Sequence, residues 1–390
     1  MLLPLPEHVV EIVKILQENG YEAYAVGGCV RDMLMGKSAH DYDVTTAAPP
    51  EAVCKLFERT VPTGIAHGTV TVLSETAVEV TTFRTEGGYS DSRHPDEVHF
   101  VSELELDLAR RDFTVNAIAY SPETGIIDPF GGIEDLKKGI LRAVGEPKKR
   151  FSEDALRILR LFRFASKLGF APEARTLEAA LELSKTLESI SRERIAAELE
   201  KAVMGVAVQS LEALLKQGAL EFLGLEFNAP LGTVSALEAD VDIRLCAFCL
   251  LCKASPEAVA RAIKSSNARI HRFKNAETLL NAPFECSRVF IKRCLRQTNE
   301  QAVRDVLALR AAIYGEDVAK GLGLLEDVLK SGEAYTVSML TIGGKELKNA
   351  GFSGRAVGDM LEKILDAVIL DPALNTPDSL EQYIRMGRTE

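Results

Sequence analysis

No apolar run in the 390 residues approaches the roughly 20 needed to cross a bilayer, so no membrane-spanning helix is expected. The segment Met1-Leu2-Leu3-Pro4-Leu5-Pro6-Glu7 has neither the basic stretch nor the small-residue cleavage pattern of a signal peptide, and the expected compartment is the cytoplasm. Cysteine is sparse and odd in number, at seven, which argues against a secreted disulfide framework and for reduced thiols. Cys246, Cys249 and Cys252 recur every third residue, yet no second Cys-x-x-Cys or His pair completes a zinc tetrad. A buried helical stripe is therefore expected. Heptads are not sustained and no fixed-period repeat occurs, which excludes a long coiled coil and a repeat array. Excess positive charge is also missing: the formal net charge is −11. That balance is unusual for a protein that grips nucleic-acid phosphates along its whole surface.

The charge is unevenly distributed. Between Arg142 and Arg175 nine basic residues face four acidic ones, and between Arg261 and Arg296 nine face only Glu277 and Glu285. These stretches are read either as solvated helix faces or as a localised RNA track. A chain of this length holds two to four structural units. Residues 1–25 read as an amphipathic helix, carrying Val9, Val10, Ile12, Val13, Ile15 and Leu16, that stops at Asn19-Gly20 and leads into a strand. Strand-like runs continue to about residue 145, at Thr69–Leu73, Ala77–Phe83, Val98–Val101 and Ala117–Tyr120. The polar, glycine-containing segment 85–96 reads as a mobile loop between two of them. From Phe151 onward the spacing is helical, at Ser191–Val203, Gln209–Gln217 and Val303–Ile313 among others. The fold class expected is an α/β head, with a mixed sheet and helices, followed by an all-α remainder.

The chemistry concentrates in a few spaced motifs. In Asp41-Tyr42-Asp43-Val44, strand alternation turns Asp41 and Asp43 to one face and Tyr42 and Val44 to the other. Two close hard oxygen donors suit Mg²⁺ bound to substrate phosphates. Upstream, Gly27-Gly28-Cys29-Val30-Arg31-Asp32 follows an apolar strand, so that backbone N–H groups at Gly28 and the Arg31 side chain can meet a triphosphate. Glu79 is taken as a third catalytic carboxylate, the alternative being an exposed strand glutamate. Arg110-Arg111-Asp112-Phe113 offers arginine forks for phosphate or ribose oxygens, with Asp112 expected to orient one of the two guanidinium groups. A helix opening at Ser152 as N-cap and stopping at Gly169 would carry Asp154, Arg157 and Arg160 on one side, with Arg163 a step further round. Cytosine and adenine share an exocyclic amino donor beside an unprotonated ring nitrogen. A carboxylate (Asp154) and a guanidinium (Arg157) match that edge, whereas uracil and guanine would leave buried groups unpaired. The bland alternative is an i,i+3 surface salt bridge between the two, worth little to stability.

Taken in order, these motifs, with Gly88-Tyr89-Ser90-Asp91-Ser92-Arg93-His94-Pro95 and Thr114-Val115-Asn116-Ala117, resemble those of the bacterial class II tRNA nucleotidyltransferases, the CCA-adding enzymes. The resemblance covers residues 20–200 well and is weaker beyond 205. It implies a polymerase-β-like nucleotidyltransferase head at 1–145, a helical neck at 146–205, a body at 206–310 and a tRNA-binding tail at 311–390. It implies addition of C, C and A to the 3′ end of tRNA from CTP and ATP, with Mg²⁺ as cofactor and pyrophosphate released. Position by position, Asp41 and Asp43 would hold the metal, and Gly28, Arg31 and Arg111 the triphosphate. Asp154 and Arg157 would read the base, with Arg160 and Arg163 completing the site, and the 85–96 loop would help reorient the site from CTP to ATP. A bacterial poly(A) polymerase and a split enzyme adding only the cytidines or only the adenosine are the alternatives; a homodimer is left open. Toward the C-terminus, Ile342–Leu347 and Gly351–Gly358 resemble a stretch of the same family, where Lys345, Lys348 and Arg355 would suit RNA phosphates. A His-Asp hydrolase domain, which some relatives append, is not expected, since only His271 lies in the second half.

Overall fold

Helix α1 (Glu7–Glu18) spaces Val9, Ile12, Val13 and Leu16 at helical intervals, and this stripe packs on Val44, Val70, Val72, Val78 and Val80. Those valines come from strands β2 (Tyr42–Thr46), β4 (Thr69–Leu73) and β5 (Ala77–Thr82), where branched residues alternate inward. Each such side chain, once fully buried, contributes roughly 1.5–3 kcal/mol. In the computed structural model, which describes residues 2–39, 41–87 and 97–386, the chain divides into two units, Met1–Ser235 and Ala236–Glu390. The first unit holds a seven-stranded sheet in the order β3-β4-β5-β2-β1-β8-β9, with β1 at Ala23–Val26, β3 at Thr60–Gly64, β8 at Ala119–Ser121 and β9 at Gly125–Ile127. Only β2 and β5 run parallel, so the sheet is mixed, as expected. A second cluster, built on Tyr24, Val26, Phe83, Leu108 and Ala119, fills the opposite face.

The head is less purely strand-like than its sequence suggests. Short helices α2 (Gly28–Leu34), α3 (Pro50–Leu56), α4 (Leu104–Ala109) and α5 (Gly132–Lys138) intervene, each of two turns or fewer, too short for periodicity to show. Residues 85–87, read as the start of a loop, belong to strand β6 (Arg84–Gly87), which pairs antiparallel with β7 (Glu97–Phe100). Residues 88–96 of that expected loop lie outside the described residues.

The helix expected from Ser152 is two helices, α6 (Pro147–Glu153) and α7 (Leu156–Leu168). Ser152 lies inside α6 and caps nothing. The break falls at Asp154, which is extended at φ −140°, ψ 104° and whose Oδ1 accepts from the Leu156 N–H at 3.0 Å. A side-chain acceptor for an orphan N–H starts α7 there. Gly169, at φ 72°, ends α7 as expected. Helices α8 (Ala174–Glu182), α9 (Arg192–Val203) and α10 (Glu212–Lys216) continue the first unit.

The second unit is helical. Helix α11 (Val241–Leu251) buries Cys246 and Cys249, with Cys252 just beyond its end, and all three are free thiols. Burial pushes the Cys252 thiol up to about 12, which suits an inert packing role. The basic stretch 261–296 is largely folded into ion pairs. Arg269 meets Asp242, Arg272 meets Asp240 and Asp305, Arg288 and Lys292 share Glu333, and Arg296 meets Asp366. The acids come from segments distant in sequence, which is why a count along the chain suggested a free basic track. Among the described residues no helix is long and apolar enough to cross a membrane.

Candidate active site

At the end of β1, the chain turns through Gly27 into α2. Gly27 adopts φ 77°, ψ −129°, a backbone region that disfavours side chains, and a Cβ there would lie 3.2 Å from Arg111 Nη1 and 3.9 Å from Asp43 Oδ2. Gly28, the glycine singled out from sequence, opens α2 with its own Cβ position 3.7 Å from Arg31 Nη2. Both glycines are thus used, one for conformation and close approach, the other for proximity to Arg31. Strand β2 delivers Asp43, and Asp41 stands in the bend one residue before the strand. Val26 pairs with Asp43 in register, Tyr42 and Val44 pack into the core, and Asp41 and Asp43 face the cavity described below. Burial pushes the Asp43 carboxyl up, Arg111 opposes this, and the charges of Glu79 and Asp41 add to the rise. Carboxylates that repel one another in this way form a site that a hard cation would relieve.

Glu79 is the register partner of Asp43 on the parallel strand β5. It shares the sheet face of Asp43 but remains exposed and does not line the cavity. Among the described residues no three His, Cys, Asp or Glu side chains gather as a ready ligand set.

Arginines surround the acids, and their partners set their direction. Arg31, 3% exposed, donates from Nη1 to Asn116 Oδ1 at 2.5 Å and pairs with Asp32 at 2.7 Å. Asn116 in turn donates to Asp112 at 3.0 Å. Arg110 and Arg111 are oriented by Asp107, at 2.7 and 3.2 Å, and not by Asp112 as the sequence suggested. The reason is helical spacing: Asp107 on α4 stands three and four residues before them, on their side, whereas Asp112 lies past the turn. Asp107 is fully buried; burial alone would raise its carboxyl, but the Arg111 and Arg110 guanidiniums hold it below the usual range. Thr45 of β2 also donates to it, at 3.1 Å. Asp112 instead accepts from Arg160 Nε and Nη2 at 2.9 and 2.7 Å and from the Phe113 N–H at 2.8 Å. Burial opposes its ionisation, yet Arg160 and Asn116 hold the carboxyl at about 2. Arg163 pairs with Glu198 of α9 at 2.5 Å and lies over the Phe164 ring, 3.6 Å from its centroid; Arg31 and Arg160 lie 5.3 and 5.5 Å from it.

Asp154 and Arg157 do not form the i,i+3 salt bridge with each other. Arg157 Nη1 reaches Glu153 at 2.7 Å and the Arg150 carbonyl at 3.1 Å, while Nη2 donates to the Arg110 carbonyl at 2.9 Å. Asp154 Oδ2 accepts from Arg194 Nη2 at 2.8 Å. Both groups are therefore held from behind. Among the described residues no acceptor takes the Arg157 Nε–H, and each Asp154 oxygen accepts one bond where it can take two. A base edge can use what is left.

Most of the predicted site residues converge on one cavity of about 600 Å³. Its walls include Gly28, Arg31, Asp41, Asp43, Arg111, Asp154, Arg157, Arg160 and Arg163, so nine of the ten expected site residues meet there and Glu79 stands apart. Gly27, Arg110, Asn116, Phe164, Lys167, Arg194 and Lys201 also line it and were not singled out as site residues from sequence. Gly27 had a readable signal in the strand–glycine–glycine–helix order. Phe164 reads as core, and Arg194 and Lys201 belong to a helix far along the chain.

A mixed-sheet head carrying paired carboxylates and an arginine-lined cavity defines a nucleotidyltransferase, and the poly A polymerase head domain family matches residues 23–142. The probable RNA- and SrmB-binding site of polymerase A matches residues 169–229. The CCA-adding enzyme of Leuconostoc mesenteroides is 36% identical, over 98% of this chain and 97% of its own. That of Lactiplantibacillus plantarum is also 36% identical, over 96% of this chain and 95% of its own. The crystal structure of the Bacillus stearothermophilus CCA-adding enzyme in complex with CTP superposes with a TM-score of 0.82 at 32% identity, covering 98% of each chain. The chain belongs to the CCA-adding enzyme family.

Proposed function

We propose that this chain adds C, C and A in turn to the 3′ end of tRNA, using CTP and ATP and releasing pyrophosphate, in the cytoplasm. The tRNA 3′-oxygen attacks the α-phosphorus in line as the bond to the β-phosphate oxygen breaks. Arg31 and Arg111 bind the triphosphate, with the Gly27–Gly28 turn allowing backbone to approach it. Asp41 and Asp43 would hold Mg²⁺, whose chemistry when bound is neutralisation of phosphate charge and stabilisation of the leaving group. Glu79 acts on this pair through its charge, keeping Asp43 basic. Asp154 accepts from the exocyclic amino group of cytosine or adenine, Arg157 donates to the adjacent ring nitrogen, and Arg194 and Glu153 hold the two readers in place. Arg160 and Arg163 complete the wall around the nucleotide. The division into head, neck, body and tail at 145, 205 and 310 is part of the same proposal, as is RNA contact by the tail.

One observation carries this reading: Asp41 and Asp43, at the start of β2, and the Asp154–Arg157 pair, more than a hundred residues apart, line a single cavity. The test is incubation of the full chain with a tRNA transcript lacking its terminal triplet, all four nucleoside triphosphates and Mg²⁺. Growth by C, C and A followed by a stop is expected. A long A-tail would mean a poly(A) polymerase, and addition of cytidines alone a split enzyme. Full activity in Asp41→Ala and Asp43→Ala would displace the metal assignment.

A further inference from the structure

Every arginine of the cavity wall lies against a carboxylate: six acids serve seven guanidinium groups. The array is rigid but close to neutral, so it supplies direction more than net charge. Lys167 and Lys201 differ. Both line the cavity, and neither has a hydrogen-bond or ion-pair partner among the described residues. Among the described residues they are the cavity cations with no carboxylate in direct contact; Asp32 acts on Lys167 only at a distance.

Their position is specific. Lys167 lies one helical turn beyond Arg163 on α7, and Lys201 lies three residues beyond Glu198, the partner of Arg163, on α9. The two lysines therefore flank Arg163 from neighbouring helices. Arg31, Asp32 and Arg163 all act electrostatically on Lys167, which places it at the Arg31 end of the cavity. Arg157, at the base-reading end, is ten residues earlier on the same helix, about 15 Å along its axis. That span suits a nucleoside triphosphate laid along α7 with its base at Arg157 and its terminal phosphates at Lys167.

We propose that Lys167 and Lys201 form a phosphate seat at the Arg31 end of the cavity, taking the β- and γ-phosphates of the incoming nucleotide and the pyrophosphate that departs. This rests on the nucleotide-transfer reading above. The lysines supply the attraction, and the compensated arginines supply the geometry.

The experiment is titration calorimetry of the full chain with CTP, inorganic pyrophosphate and cytidine, for the wild type, Lys167→Met, Lys201→Met, the double variant and Lys167→Arg. Nucleotide and tRNA kinetics are run alongside. Each methionine should weaken CTP and pyrophosphate roughly three- to tenfold, the range for one solvated charge-assisted contact, and leave cytidine unchanged. Lys167→Arg should keep most of the affinity. In turnover, KM for CTP and for ATP should rise by a common factor, with the choice between bases unaltered. Unchanged CTP and pyrophosphate affinity in the double variant overturns the proposal. A rise in KM confined to tRNA also overturns it, assigning the lysines to an RNA backbone phosphate instead. If the wild type extends no tRNA while the methionines still weaken pyrophosphate, the phosphate seat stands and the tRNA reading falls.

Discussion

Replacing Asp112 by asparagine tests how the cavity wall is held. The Asp112 carboxylate is almost fully buried and binds Arg160 twice, Asn116 and the Phe113 N–H, and its carboxyl is held at about 2 against an ordinary 3.8. That difference corresponds to about 2.5 kcal/mol of stability. A depressed folded-state value means the contribution is complete well above pH 4 and fades as pH falls through 3.8 toward 2; about half is gone by pH 3. The amide of Asp112→Asn mimics the protonated carboxyl, so the variant lacks this term at every pH. Urea unfolding of both proteins, followed by far-ultraviolet circular dichroism from pH 7 to pH 3, should show a gap of roughly 2–4 kcal/mol at neutral pH. The gap should narrow by about 1 kcal/mol at the acid end. Arg160, left with Glu198 at 3.7 Å as its remaining acid, should also lose its fixed direction, raising KM for CTP and ATP together. A stability gap that stays constant from pH 7 to pH 3 would refute the reasoning, because the loss would then be steric and not electrostatic.

Other consequences are as direct. Arg157→Ala should loosen base choice by roughly ten- to a hundredfold, measured as UTP against CTP incorporation, since the donor proposed for the ring nitrogen is lost; an equal loss for all four nucleotides would count against base reading. Gly27→Ala should cost about 1–2 kcal/mol of stability through its φ of 77° and weaken CTP by crowding Arg111, readable by melting and calorimetry. A fully stable variant with normal CTP affinity would mean the turn tolerates a side chain. Asp107→Asn should raise KM for CTP and ATP about tenfold with little effect on base choice, because Arg110 and Arg111 lose their common anchor. Altered selectivity without a KM effect would contradict that role.

Much of the molecule was legible in local pattern. Asp43 on β2 and Asp41 just before it line one cavity as alternation suggested, branched residues built β4 and β5, and helical spacing built α1, because a strand or an amphipathic helix is determined by neighbours two to four residues away. The strand–glycine–glycine–helix order drew attention to Gly28 and Arg31, helical spacing to Asp154 and Arg157, and the family resemblance to Arg111, and all five line the cavity. What hydrogen bonds to what was decided only by the tertiary structure. Asp112 was adjacent to Arg111 in sequence, but the buried Asp107 took both neighbouring arginines and left Asp112 to Arg160, from 48 residues away. Asp154 and Arg157, three residues apart, found separate supports in Arg194 and Glu153 because α7 begins only after Asp154. The basic stretch of the second unit met acids distant in sequence, so its charge is mostly internal. Composition and periodicity are sums over short windows, and they determined the longer elements and which residue types are available for the chemistry, but not the short helices of the head. Charge pairing depends on distances across the fold, and only the packed chain decided which cations meet a carboxylate and which, among the described residues, do not.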